Sequence, residues 1–209
     1  MKTRFSMAVW SIVVAMGCAQ SGQSSAQASV PQAQDAARGG IAVLQQLVTD
    51  QNYREMGFDS RDEVSRAGIG EPWSMFNIGL DKLKRYQPNA DVNALLAPSA
   101  ETIFPVTVNG QVKSSITVTK GEGGYKASSF GNAPVVKELS KHRQSAGSFV
   151  VRVPALNMYY VGSRVEGRLM LTPIIDDTRL KFQAGVAVPA EQLLEQLARI
   201  ANDYNGLPM

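Results

Sequence analysis

Cysteine and histidine are almost missing from this chain of 209 residues, which has one of each, Cys18 and His142. A lone cysteine cannot form an internal disulfide, so the domain must be held together by its core alone. One histidine and one cysteine also fall short of ordinary zinc spacing. We therefore predict no metal centre and no cofactor.

Long apolar runs are also scarce. The one at the N-terminus extends from Phe5 to Met16, about a dozen residues, which is too short to cross a bilayer. Lys2 and Arg4 precede it, and positive charge followed by a short apolar run is typical of a secretory signal. We therefore expect the protein to be exported and residues 1–17 to be a signal peptide.

The apolar run ends Ala15-Met16-Gly17-Cys18. This segment resembles the signal of bacterial lipoproteins, in which a small residue precedes an invariant cysteine within the lipobox. The resemblance covers residues 1–18, and Ala15 and Met16 stand where leucine and a small residue are usual. It implies that Cys18 carries a lipid as the first mature residue and anchors the protein in the cell envelope. Ala19 in the next position resembles the outer-membrane pattern of Gram-negative lipoproteins.

A second cleavage site remains open as an alternative. Ala26-Gln27-Ala28 fits the small-x-small rule, and cleavage there would release a soluble protein that begins at Ser29. Residues 19–33 consist mainly of alanine, glutamine, serine and glycine, a composition that cannot form a core. We therefore assign residues 18–33 to the lipidated cysteine and a flexible tether, and residues 34–209 to a single domain.

A concentrated basic surface is absent as well. The chain has 21 lysines and arginines against 18 aspartates and glutamates, and removal of Lys2 and Arg4 leaves 19 against 18. Nucleic-acid binding needs a focused basic footprint, so we expect no nucleic-acid partner. The predicted contacts are the membrane, through the N-terminal lipid, and an unknown envelope protein or peptide.

Between Thr102 and Phe130, alternating apolar and polar residues are broken by two glycine turns, which predicts an antiparallel three-stranded meander. A three-residue loop, Val108-Asn109-Gly110, would place the apolar side chains on one face, whereas a two-residue loop would divide them between the faces. We expect a second loop at residues 120–123 and a solvated outer face carrying Lys113 and Ser115. The predicted inward residues are Phe104, Val106, Val112, Ile116, Val118 and Tyr125. A sheet buried on both sides is the alternative.

Helical spacing of apolar residues predicts helices at about 34–51, 133–142 and from Pro189 onward, and strands surround the middle helix. The predicted fold is α+β, with one antiparallel sheet of about six or seven strands on which N-terminal, middle and C-terminal helices pack. At most this resembles a small secreted α+β module.

Residue types that carry chemistry are isolated along the sequence. We expect His142 to be an exposed helical residue, Lys113 with Ser115 to lie on a solvated strand face, and Asp176-Asp177 to form a turn. We therefore predict no catalytic residue and no enzyme activity.

Aromatic residues suggest binding of a partner rather than catalysis. Trp73 and Phe76 follow a Glu-Pro bend, and Tyr159 and Tyr160 are adjacent, so one of the two tyrosines should point outward from its strand. These four form the predicted partner surface. The first hypothesis is a non-enzymatic envelope protein that binds a protein or peptide through a sheet edge or this aromatic patch. A small-ligand carrier and a hydrolase with a minimal polar site remain alternatives.

Overall fold

The computed structural model describes residues 29–143 and 147–206. The helices are α1 (Ser29–Leu47), α2 (Leu80–Lys84), α3 (Ala133–His142) and α4 (Ala190–Asp203). Short 3-10 helices occupy Arg61–Arg66, Val92–Leu95 and Pro154–Leu156. The strands are β1 (Gly68–Ile69), β2 (Trp73–Asn77), β3 (Ala97–Val108), β4 (Gln111–Gly121), β5 (Gly124–Gly131), β6 (Phe149–Val153), β7 (Met158–Val165), β8 (Arg168–Pro173) and β9 (Val188–Pro189).

These strands form one nine-stranded sheet in the order β5-β4-β3-β2-β6-β7-β8-β9, with β1 beside β3. Neighbours are antiparallel except at the centre, where β2 and β6 run parallel and join two meanders, β3-β4-β5 and β6-β7-β8. The predicted α+β class is confirmed. The predicted strand count was too low, since β1 and β9 have two residues each and show no periodicity.

Helices cover both faces of the sheet. Successive strand residues point to opposite faces, so Ile103 and Phe104 contact different helices. Phe104 packs in the cluster that includes α1, whereas Ile103 lies in the cluster with Val136 and Leu139 of α3. Helix α4 covers the second meander on the same face as α1, against a cluster that includes Val151. The result is a three-layer arrangement in which, among the helices at residues 29–143 and 147–206, α3 alone covers one side.

The predicted loop of the first hairpin was wrong. Val108 pairs with Gln111, so the loop is the two-residue turn Asn109-Gly110, with positive φ angles of 51° and 78°. A two-residue loop should divide the apolar side chains between the faces, and the strand corrects this with a bulge. Thr107 pairs with Val112, but Val106 pairs with Ser114, so Lys113 is an extra residue on β4.

Because of the bulge, most of the residues predicted to point inward still share one face of the sheet. Phe104 pairs with Ile116, and both are buried with Val106 and Val118 beneath α1, as predicted. Val112 precedes the bulge and lies instead in the cluster of α3. The second hairpin also has a two-residue loop, because Gly121 pairs with Gly124, so the predicted four-residue loop was wrong.

The expected solvated outer face is partly buried. Lys113 and Ser115 are 8% and 4% exposed, so the alternative of a sheet covered on both sides holds at this position. Gly162 lies within β7, and Phe149 covers it so closely that a Cβ there would lie 2.3 Å from the phenyl ring.

Helix α1 begins at Ser29, inside the range assigned to the tether, and Ala33 is buried. Residues 1–28, which include the predicted signal, Cys18 and most of the tether, lie outside the described residues. The division of the chain at residues 17 and 33 therefore stays a prediction.

Candidate binding cleft

A cleft of about 360 Å³ opens between the first turns of α3, the start of β7 and the segment after β8. We name it the Tyr159 cleft. Its lining is mostly apolar and comprises Pro134, Val135, Glu138, Leu156, Asn157, Met158, Tyr159, Tyr160, Pro173, Ile174, Ile175, Asp177, Arg179, Leu180 and Phe182. Ile175, at the rim, is a large apolar residue that is 64% exposed to solvent.

Asp177 organises the outer wall of the cleft. Its Oδ1 accepts hydrogen bonds from the backbone amides of Arg179 and Leu180, at 2.9 and 3.2 Å. Its Oδ2 accepts from Nη2 of Arg179 at 2.8 Å, and its backbone exchanges two hydrogen bonds with Phe182. The wall is therefore a closed turn that holds Leu180 and Phe182 against the core.

Loss of the Asp177 carboxylate should loosen this wall. The hydrogen bond from Arg179 holds the pKa of Asp177 below its ordinary value. A lowered folded-state pKa means that the stabilisation is present above about pH 4 and is lost as the pH falls through the folded pKa. In Asp177→Ala we expect the Leu180 amide to exchange about tenfold faster at neutral pH, measured by hydrogen exchange. Asp176→Ala is the matched control, because Asp176 binds a different amide, that of Ala184; equal acceleration in both variants would contradict this role.

Two of the four predicted partner residues lie in this cleft. Tyr159 is partly buried, with the guanidinium of Arg152 5.4 Å from its ring centre. Tyr160 is 4% exposed, and its hydroxyl donates to Sδ of Met158 at 3.2 Å. Burial raises the pKa of the Tyr160 phenol far above its ordinary value. The two tyrosines thus face opposite sides of the sheet, as the strand alternation predicted, but Tyr159 is partly buried against the cluster of α3 rather than fully outward.

The other two aromatic residues lie elsewhere. Trp73 is 7% exposed in the core beneath α3, and the guanidinium of Arg143 lies 4.8 Å from its ring centre. Phe76 is on the opposite face, where it packs edge-on against Phe149 with ring centres 5.0 Å apart. Sequence alone could not show that Trp73 is covered, because the covering arginine follows it by 70 positions.

A second groove of about 360 Å³ lies beside the first, between α3 and the sheet. Val135 and Tyr159 line both, so they form the boundary between them. Its lining is more polar and includes Glu101, Thr117, Ser129 and Arg152. We name it the Arg152 groove.

The residues considered for catalysis do not assemble. Lys113 Nζ lies 2.6 Å from Asp59 and 3.3 Å from Glu63, whereas the Ser115 hydroxyl donates to the carbonyl of Gly131 at 2.6 Å. His142 is half-buried rather than exposed, because its imidazole packs against Gly185, where a Cβ would lie 2.9 Å away.

The acidic pair at 176–177 forms a turn, as expected from the sequence. Within residues 29–143 and 147–206, no group of three or more histidine, cysteine, aspartate or glutamate side chains is placed to hold a metal ion. In the same part of the chain, no helix is long and apolar enough to cross a membrane.

No protein-family model, curated protein or solved structure matches this chain. Its function must therefore be inferred from the cleft itself. Sequence reasoning missed Ile175 and Arg179 as cleft residues. The signal that pointed to them was an apolar pair, Ile174-Ile175, directly before two aspartates.

Proposed function

We propose that the protein is an exported, lipid-anchored binding protein of the cell envelope, without catalytic activity. Its partner is a protein or peptide, and an apolar segment of that partner occupies the Tyr159 cleft. The single observation that carries the proposal is the combination of an apolar cleft with a large exposed side chain, Ile175, at its rim.

Three physical features support this use of the cleft. A volume of about 360 Å³ lies in the range of binding pockets and has room for one or two large side chains. Tyr159 in the lining offers a broad apolar surface with few rotatable bonds, a property favoured at interfaces. Asp177 and Arg179 neutralise each other at the rim, so desolvation there would leave no unpaired charge.

We favour the cleft over the sheet edge, which was the other part of the original hypothesis. Strand β5 is the edge of the sheet, and exposed Lys126 and Ser128 lie along it. Lysine on an edge strand opposes the addition of another strand. At the opposite edge β9 has two residues, which offers little backbone for pairing.

A small-ligand carrier remains the second candidate, since the same volume and apolar lining would suit a compact apolar molecule. The two functions differ in which part of the cleft the ligand contacts. A peptide partner would extend over Ile175 at the rim, whereas a small molecule would contact the interior and leave the rim free.

A peptide library displayed on phage tests the peptide function. Peptides selected on the immobilised protein should bind Ile175→Glu at least about tenfold more weakly, because a charge would replace a desolvated apolar contact. Val165→Glu is the matched control, a 56% exposed valine at the far end of β7. Equal binding to both variants, or no enrichment over an unrelated protein, would count against the proposal.

The anchor is tested separately by the intact mass of the mature protein. Lipidation predicts a chain that begins at Cys18 with added acyl mass, and a Cys18→Ala variant that is not found in the membrane fraction. A mature chain that begins at Ser29 without modification would show cleavage after Ala28 and a freely secreted protein.

A further inference from the structure

Arg152 on β6 is a partly buried cation whose hydrogen-bonding capacity is largely unused. Its side chain is 31% exposed, yet its Nε is buried and has no hydrogen-bond partner in the described part of the chain. Glu101 Oε2 lies 3.6 Å from Nη1, which is longer than a hydrogen bond. A buried N–H without an acceptor is costly, so this arrangement needs an explanation.

A second unpaired polar atom lies at the same level of the sheet. Asn77 is the register partner of Arg152 in the parallel pair of β2 and β6, so both side chains project to the face that carries α3. The Oδ1 of Asn77 is also buried and without a partner in the described residues. The parallel pair of strands therefore holds an unsatisfied donor and an unsatisfied acceptor at one register position, and Arg152 lines the Arg152 groove.

The surroundings of Arg152 suit an oxyanion. The guanidinium lies 5.4 Å from the centre of the Tyr159 ring, and this cation–π contact supports it without using any of its N–H groups. Hydroxyl groups of Thr117 and Ser129 line the same groove. Because Val135 and Tyr159 line both cavities, a group bound at Arg152 would lie next to a side chain in the Tyr159 cleft.

We propose that Arg152 binds a carboxylate of the segment that occupies the Tyr159 cleft. This inference rests on the proposed function and names the chemistry of its partner, an apolar residue next to a carboxylate. A guanidinium presents parallel N–H groups that fit a carboxylate in two hydrogen bonds. The chain terminus of a peptide and an acidic side chain are both sources of that group.

Glu101 places a carboxylate beside Arg152, so its substitution distinguishes a binding role of Arg152 from a structural one. Its carboxylate lies on the same side of the sheet, 3.6 Å from the guanidinium, and would repel an incoming carboxylate. Glu101→Gln should therefore strengthen the binding of a carboxylate. A purely structural role for Arg152 would give no such gain, since that variant would merely remove its ion-pair partner.

The first test uses octanoate and octanamide as probes, followed by NMR of the backbone amides and the arginine Nε–H groups. We expect octanoate to shift the Arg152 and Tyr159 signals in a saturable way and octanamide to bind about tenfold more weakly. Arg152→Gln should weaken octanoate binding by about the same factor. Arg164→Gln is the control for net charge, because it also removes one positive charge. Arg164 is exposed, and its guanidinium donates a hydrogen bond to Asn93.

The second test uses the selected peptides with a free or an amidated C-terminus, each with and without acidic residues. Dependence on the free terminus identifies the chain end as the source, and dependence on the acidic residue identifies a side chain. Octanoate binding that is unchanged in Arg152→Gln would overturn the inference.

The two proposals fail in different ways. Peptides that need Ile175 but neither a carboxylate nor Arg152 would leave the proposed function intact and overturn the inference. Octanoate binding that depends on Arg152, with no peptide enriched, would retain the carboxylate site and overturn the peptide function. Circular dichroism of each variant shows whether its fold is intact.

Discussion

Gly57→Ala is expected to destabilise the protein by about 4 kcal/mol or to prevent folding. Gly57 has a φ of +100°, and a Cβ there would lie 1.9 Å from the carbonyl oxygen of Lys113 and 2.6 Å from Cβ of Ala133. Backbone cannot withdraw as a flexible side chain can. The chain must therefore separate the 57–59 loop from the bulge of β4. Urea denaturation measures the loss.

Gly110→Ala is the matched control for the conformational cost alone. Gly110 also has a positive φ, +78°, but nothing lies within 4 Å of a Cβ built there. We expect a loss of about 1 kcal/mol, the usual cost of a left-handed backbone for alanine. Equal losses in the two variants would show that Gly57 does not contact β4 as described.

The second large effect is expected from Lys113→Met, which should lower the free energy of unfolding by about 3–5 kcal/mol. Lys113 is 8% exposed, and its ammonium pairs with the buried carboxylate of Glu63 and with the exposed carboxylate of Asp59. Methionine fills a similar volume, so most of the loss comes from leaving Glu63 buried without its cation.

Adding Glu63→Gln to Lys113→Met should recover at least half of that loss, since the uncompensated charge is then removed. Lys126→Met, at an exposed lysine of β5, is the control and should change stability by less than about 0.5 kcal/mol. A Lys113→Met variant as stable as Lys126→Met would contradict the buried ion pair.

The pH dependence of the Lys113–Asp59 ion pair follows from the pKa shifts of its two groups. The hydrogen bond with Asp59 raises the pKa of Lys113, and the same bond lowers the pKa of Asp59. The contribution of Lys113 is therefore complete below its unfolded pKa of about 10.4 and is lost as the pH rises through the folded value. That of Asp59 is present above about pH 4 and is lost at lower pH. Between about pH 5 and pH 9 these two groups therefore add no pH dependence to the free energy of unfolding of the wild type, measured by urea denaturation.

Local patterns predicted much of the fold, but the β-bulge at Lys113 made the predicted register of the β3-β4 hairpin wrong. The helix predicted at 133–142 lies there, and strands surround it as predicted. The turn residues Asn109-Gly110 are typical of a two-residue loop, and the hydrophobic pattern argued against that loop. Both signals were correct, because the bulge at Lys113 reconciles them. No local sign of the bulge is present in the sequence, because the partners that hold Lys113 there lie 50 or more positions away.

The candidate site was predictable in one part. Adjacent tyrosines on a strand indicated that one would point away from the core, and Tyr159 is partly exposed where it lines the cleft. The other walls come from α3 and from the turn after β8, which the meander of β6, β7 and β8 brings together. Pairing of that kind depends on long-range contacts, so Arg152 had no local signal of function, and Ile175 had only the apolar pair Ile174-Ile175 before two aspartates.

A crystal structure of the protein with its tightest selected peptide would show directly where the partner binds. We expect peptide density between α3 and residues 173–182, in contact with Tyr159 and Ile175. A peptide paired as an added strand along β5, with the Tyr159 cleft empty, would contradict it.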